Sequence, residues 1–180
     1  MWKWIIIGGA FLLLIIVVIY RKSITSFAKG KVWDYLSQNR ISTLHPKVRE
    51  KVTEFINKAE KQGIRLRIIS AYRTYEEQDE LYEQGRTKAG NIVTNAKGGQ
   101  SSHNFGTAID VVPIINGSAD WNTDYNKIAE IGKSVGFSWG GDWTSFKDKP
   151  HFEMNFGKTI AQLRNLYEAG NTTNGYVNLA

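Results

Sequence analysis

At 180 residues and 42% apolar composition, the chain is sized for one domain with a core of its own. It has no cysteine, which excludes disulfides, thiol nucleophiles and cysteine zinc sites, so any metal must be held by histidine, aspartate or glutamate. The net charge of +6 falls to +3 once Lys3, Arg21 and Lys22, which flank the first apolar run, are set aside; an anionic polymer is an acceptable partner, but no basic-aromatic motif marks a nucleic-acid binder.

The first element is WIIIGGAFLLLIIVVIY, residues 4–20, a run of 17 uncharged residues at the lower edge of membrane-spanning length. Trp2, Trp4 and Tyr20 sit where interfacial aromatics belong. Arg21 and Lys22 follow at once, with no small-residue cleavage site, so an uncleaved transmembrane helix is expected rather than a signal peptide. A buried core helix is the plain alternative, but the run lacks a polar face. Lys3 lies on one side of it, and Arg21, Lys22, Lys29 and Lys31 on the other. By the positive-inside rule, that charge count alone would put the rest of the chain in the cytoplasm. A stalk and linker helix is expected over 21–40, a compact domain over 41–170, and a flexible Asn/Gly-rich tail over 171–180.

Within the domain, HPKVREKVTEFINKAEKQG places Val48, Val52, Phe55, Ile56 and Ala59 at helical spacing, with Pro46 early and Gly63 as a stop. In IRLRIISAY, Ile64, Leu66 and Ile68 alternate with Arg65 and Arg67, the period of a strand. TYEEQDELYEQG predicts a short helix opened by Thr74 and closed by Gly85. GNIVTNAKGGQ predicts a loop, and TAIDVVP a strand that Pro113 ends. TDYNKIAEIGKSVG predicts a helix capped by Thr123 or Asp124; FSWGG and PHFEM predict a closing strand pair; KTIAQLRNLYEAG predicts a last helix. Helices and strands mix without a regular βαβ rhythm. The expected class is therefore α+β, a small antiparallel sheet with flanking helices, preceded by one transmembrane helix.

The histidines are His45, His103 and His151. His103 and Asp110 bracket a glycine turn, and His151 opens a short strand after Pro150. Two histidines and one carboxylate around an open position make the composition of a catalytic zinc site. The plainer reading, that His103 caps a turn and Asp110 pairs with an arginine, stays open on these residues alone. His45, beside Pro46, is expected as a surface or capping residue.

SSHNFGTAID fits S-x-H-x-x-G-x-A-x-D, DKPHFE fits an acid-x-x-H element, and SAYRTYEEQ fits S-x-Y-R-x-x-x-x-Q. In these three ordered motifs the chain resembles the zinc D-Ala-D-Ala carboxypeptidase and L-alanyl-D-glutamate endopeptidase family, which has the hedgehog/DD-peptidase fold. The wording VTNAKGG before SSHNFG is most similar to the endopeptidase branch. The resemblance implies zinc (Zn2+) as cofactor with His103, Asp110 and His151 as ligands, Asp148 as general base, and Arg73 meeting the substrate's carbonyl oxygen or a carboxylate. It implies a peptidoglycan stem peptide as substrate, with the L-Ala-D-Glu bond expected and D-alanyl-D-alanine or L,D-carboxypeptidase activity as the alternative. A non-catalytic zinc-containing binding module is a further alternative. Glu153, on the same strand face as His151, is a rival to Asp148 as base. Ser101 and Gln78 match motif positions and are expected to support the ligands or Arg73. Gly106 is expected to permit a tight turn. Tyr72 is either core or substrate wall. Trp139, Trp143 and Phe146 either line a groove or pack in the core. For a carboxypeptidase, Arg65, Arg67 and Arg86 are candidates for the substrate's terminal carboxylate. The wall substrate lies outside the cell, so a single-pass membrane protein with its catalytic domain outside is expected, against the charge count.

Overall fold

The computed structural model describes residues 35–179. The expected transmembrane helix at 4–20 and most of the 21–40 stalk lie outside the described residues. Among the described residues, no helix is long and apolar enough to cross a membrane. Contacts divide the chain into Met1–Leu36 and Ser37–Ala180, and every element from Pro46 onward lies in the second.

Residues 35–42 are helical (α1), and α2 runs over Pro46–Lys61. Proline at the first helical position sacrifices an N–H that has no partner there, and the His45 ring accepts from the Lys47 N–H. Val48, Val52, Phe55 and Ala59 form one buried stripe on α2. The helix ends at Gln62, followed by Gly63 with φ 76°. β1 is Leu66–Ser70. α3 is Tyr75–Glu83, opened by a reciprocal capping box between Thr74 and Glu77. β2 is Ala108–Ile115, β3 Ser118–Ala119, α4 Asn126–Ser134, β4 Ser138–Trp139, β5 His151–Glu153 and α5 Ile160–Glu168. β6 (Thr172–Thr173) and β7 (Tyr176–Val177) form a terminal hairpin.

The main sheet runs β1-β2-β5-β4, with β3 paired to β2, and every pairing is antiparallel. The α+β class expected from the sequence is the one observed. β2 is the central strand and is buried along most of its length. Its apolar face joins α2 and α4 in a core that includes Phe55, Ile68, Ile109, Val111, Phe137 and Phe152. The Phe55 and Phe152 rings stand 4.9 Å apart.

Three local expectations change. Pro113 does not end β2, because register protects it: the Val111 N–H turns away from β1 to the Pro150 carbonyl, whereas the Ile114 N–H bonds Arg65 of the β1 side. A proline in step with Val111 therefore costs no bond to β1. α4 starts later than expected, with Tyr125 in the cap position and no side-chain cap; Asp124 instead accepts from the Asn126 N–H at 3.0 Å. The 171–180 tail, expected to be loose, is folded back through residue 179. Val177 and Leu179 are buried with Phe105 and Leu163 in a second apolar cluster. His45 is correspondingly buried rather than at the surface. Its Nε2–H donates to the Val177 carbonyl at 3.0 Å while its Nδ1 caps α2. A neutral ring satisfies both partners, and burial with Lys47 and Arg49 nearby holds its pKa below the ordinary value.

Candidate metal centre

Register assembles the site. Asp110 stands directly opposite His151 across the β2–β5 pair, so the two side chains share one face of the sheet. On the other flank Asp110 pairs with Ser70, after a bulge that shifts β1 between Ile68 and Ser70. His103 arrives from a 3-10 turn, Ser102–Phe105, capped reciprocally by Ser101 and Asn104. Gly106 closes that turn at φ 66°, and a Cβ there would lie 2.7 Å from the His45 nitrogen, so both backbone and space demand glycine. The Thr107 hydroxyl donates its one proton to Asn155 Oδ1 at 2.6 Å, with the Ser102 carbonyl 3.1 Å from that hydroxyl.

His103, Asp110 and His151 each offer a ligand atom, and these atoms lie within 4.8 Å of one another. His103 Nε2 is 3.3 Å from Asp110 Oδ1, and His151 Nδ1 is 3.1 Å from the same oxygen. Donors about 2.0–2.1 Å from a tetrahedral ion stand about 3.3 Å apart, so this spacing suits zinc. The second nitrogen of each ring agrees. His103 Nδ1–H donates to the Ala71 carbonyl at 2.6 Å, leaving Nε2 with its lone pair toward the site. His151 Nε2–H donates to Glu153 Oε2 at 3.3 Å, leaving Nδ1 toward Asp110. Partners of this kind fix tautomer and ring plane. Burial opposes the charge on Asp110, but the two imidazoles outweigh it and hold the carboxyl well below the usual range. His151 is also buried, yet its bonds to Asp110 and Glu153 push its pKa up to about 9.

Glu153 also lines the cleft around the site, but its carboxylate is engaged. Its carboxylate accepts from the ring and from the Ser102 hydroxyl, and Ser102 in turn accepts from Asn155 Nδ2 at 3.0 Å. That is the environment of a positioning carboxylate rather than of a rival base. Asp148 is in a different situation. Burial, then the charge of Asp110, raise its pKa, while His151, His103 and Arg73 pull it back. A carboxylate biased toward taking a proton beside a metal cluster is suited to general base work.

Arg73 is held from two sides. Its Nη1 donates to Gln78 Oε1 at 2.6 Å and its Nη2 to Ser70 Oγ at 3.0 Å. Gln78 is completely buried on α3 and donates onward to the Ala96 carbonyl at 2.8 Å. Burial lowers the guanidinium pKa, but Asp110, Glu77 and Asp148 favour its charge. Arg73, Asp148 and the three metal-site residues line one cleft of about 700 Å³, whose walls include Trp143, Phe146, Val93 and Ile160. Ser101 reaches the same cleft, although its hydroxyl accepts from the His103 N–H as a turn cap.

The aromatic expectations divide. The Trp143 ring lies 5.0 Å from that of His151 and lines the cleft, as does Phe146. Trp139 packs against the core and donates its Nε1–H to the Lys149 carbonyl at 2.7 Å. Tyr72 is partly exposed, at 39%, and is not among the cleft-lining residues. Arg86 is spent on the Tyr82 and Thr94 carbonyls and on Asn95 Oδ1, and is not itself among the cleft-lining residues. Ser102, Asn104, Thr107, Asn155 and Gly140 were not singled out from the sequence. Ser102, Asn104 and Thr107 carry a signal that could have marked them, by lying inside the S-x-H-x-x-G-x-A-x-D run.

A family model for VanY, D-alanyl-D-alanine carboxypeptidase, matches residues 41–154. The chain is 46% identical over 124 residues to the peptidoglycan L-alanyl-D-glutamate endopeptidase CwlK of Bacillus subtilis (strain 168), spanning 63% of this chain and 74% of that one. It is 37% identical over 84 residues to the L-alanyl-D-glutamate peptidase of Listeria phage A118, spanning 42% of this chain and 30% of that one. Among solved structures, the L-Ala D-Glu endopeptidase ChiX of Serratia marcescens superposes with a TM-score of 0.47 at 22% identity, covering 67% of this chain and 87% of that one.

Proposed function

This chain belongs to the VanY, D-alanyl-D-alanine carboxypeptidase, family, and we propose that within it the chain is a zinc endopeptidase that hydrolyses the L-alanyl–D-glutamate amide of the peptidoglycan stem. The observation that carries a hydrolytic reading is the convergence of His103, Asp110 and His151 in a cleft that also presents Asp148 and Arg73. Identity to CwlK supports the endopeptidase branch.

His103 Nε2, Asp110 Oδ1 and His151 Nδ1 would hold the metal. Bound there, zinc supplies Lewis acidity for the scissile carbonyl and lowers the pKa of water toward about 7. Asp148 removes a proton from the attacking water and returns it to the departing amine of D-glutamate. Its raised pKa helps it keep that proton between the two transfers. Arg73 faces the carbonyl oxygen as negative charge develops; losing such a donor costs on the order of 2.7–4 kcal/mol of activation free energy. Because Gln78 and Ser70 already orient the guanidinium, little ordering is left for the substrate to impose. Trp143, Phe146 and Val93 give the peptide an apolar wall.

The wall substrate lies outside the cell. The proposal therefore makes the apolar run at 4–20 an amino-terminal anchor with the domain on the outer face. The test is digestion of defined muropeptides by the zinc-loaded full-length chain in detergent, with products identified by mass spectrometry. A new D-glutamate amino terminus is expected. Free D-alanine would assign carboxypeptidase activity instead, and no product at all would overturn the peptidase reading. His103→Ala, with its fold retained, is expected to give none.

A further inference from the structure

Resting on the peptidase reading, we propose that Trp139, Gly140 and Gly141 act as a positioning clamp that sets the base Asp148 and the ligand His151 as one piece. The segment between Trp143 and His151 has no helix or strand of its own, so nothing regular holds Asp148 where the reaction needs it. The end of β4 does so. The Asp148 N–H donates to the Gly140 carbonyl at 3.1 Å, and the Trp139 indole N–H donates to the Lys149 carbonyl at 2.7 Å. The His151 N–H then donates to the Asp148 carbonyl at 3.2 Å and closes the turn. Trp139 is in register with Phe152, which brings Gly140 alongside His151.

Space makes the two glycines specific. A Cβ on Gly140 would lie 2.5 Å from the Asp148 carbonyl oxygen, 3.0 Å from His151 Cβ and 3.2 Å from Asp148 Cβ. The nearest of these is backbone, so the turn would have to retreat by at least about half an ångström, carrying base and ligand together. A Cβ on Gly141 would lie 2.2 to 2.4 Å from atoms of the Trp139 ring. The bare Gly141 thus lets that ring lie across the backbone with its N–H aimed at Lys149. Lys133 stands over the ring at 5.5 Å and is itself paired with Asp142 at 2.6 Å. None of the three clamp residues needs to touch the substrate or the metal.

The test uses the full-length chain and three variants, Trp139→Phe, Gly140→Ala and Gly141→Ala, each loaded with zinc or with cobalt(II). For Gly140→Ala, kcat is expected to fall on the order of 10- to 100-fold with little change in KM, and metal affinity to weaken over a similar range. The visible spectrum of the cobalt form is expected to change as His151 moves. Trp139→Phe removes the indole N–H together with part of the ring, and is expected to move the same quantities in the same direction by less. Wild-type kcat and cobalt spectra in Gly140→Ala and Trp139→Phe, with only the melting temperature lowered, would overturn the clamp. If Gly140→Ala does not fold, Trp139→Phe decides alone on the same criteria. If the wild-type chain cuts no muropeptide, the peptidase reading fails, while the cobalt spectra and metal affinities still decide whether the clamp holds His151.

Discussion

Replacing Gln78 with leucine keeps side-chain volume and removes every polar contact of a residue that is completely buried on α3. Three bonds are lost: the one accepted from Arg73 at 2.6 Å, the one donated to the Ala96 carbonyl at 2.8 Å, and a third donated to Thr94 Oγ1 at 3.4 Å, long enough to add little. A hydrogen bond to a charged group contributes about 1.5–3 kcal/mol and a neutral one about 0.5–1.5 kcal/mol, which puts the destabilisation at roughly 2–4 kcal/mol. The catalytic loss is separate. Arg73 keeps its bond to Ser70 Oγ but becomes free to turn about it, and misorienting its guanidinium forfeits part of the roughly 2.7–4 kcal/mol that such a donor supplies. Gln78→Leu is therefore expected to lose on the order of 10- to 100-fold in kcat, with Gln78→Glu recovering much of it through a carboxylate partner. Urea unfolding measures the first quantity, and steady-state cleavage of a muropeptide the second. Stability within about 0.5 kcal/mol of wild type, together with unchanged kcat, would refute the claim that Gln78 orients Arg73.

Two further outcomes are expected. His45 is neutral in the fold, and its pKa is lowered by burial from 6.5, so the unfolded chain takes up the proton first. Its contribution is complete above pH 6.5 and is lost as pH falls through 6.5 toward the depressed folded value, so urea midpoints measured between pH 8 and 5 should drop more steeply in wild type than in His45→Asn; equal slopes would remove His45 from the explanation. Deleting residues 171–180 exposes the cluster that Val177 and Leu179 close over Phe105 and Leu163. Burial of two such side chains is worth at most roughly 3–6 kcal/mol. Because Phe105 belongs to the turn that carries His103, metal affinity should fall with stability, and a truncated chain that keeps wild-type zinc affinity would contradict this coupling.

The sequence alone determined what depends on neighbours a few residues apart. The stripe Val48, Val52, Phe55, Ala59 repeats at the helical period, Thr74 and Glu77 sit at capping distance, and Leu66 and Ile68 alternate as a strand requires. The metal-site residues were legible only through motifs: SSHNFGTAID and DKPHFE resemble those of the zinc peptidase family, and that resemblance, not the absence of cysteine, implied His103, Asp110 and His151. Tertiary structure decided everything that hangs on register and on short elements. Strands of two or three residues such as β4 and β5 are too short to print a period, yet the pairing of β5 with β2 puts Asp110 opposite His151, 41 positions away. Glu153 and Asp148 are both acids close to His151 in the chain and both line the cleft; only the fold ties Glu153 to the His151 ring and the Ser102 hydroxyl and hangs Asp148 on the Gly140 carbonyl. Trp139 and Trp143 likewise read alike until packing turns one toward Lys149 and the other toward His151. Pro113 inside β2, the buried ring of His45 and the folded tail were hidden for the same reason. Each depends on a partner far along the chain, and a linear pattern carries no record of which distant group will satisfy a buried polar atom or cover an apolar one.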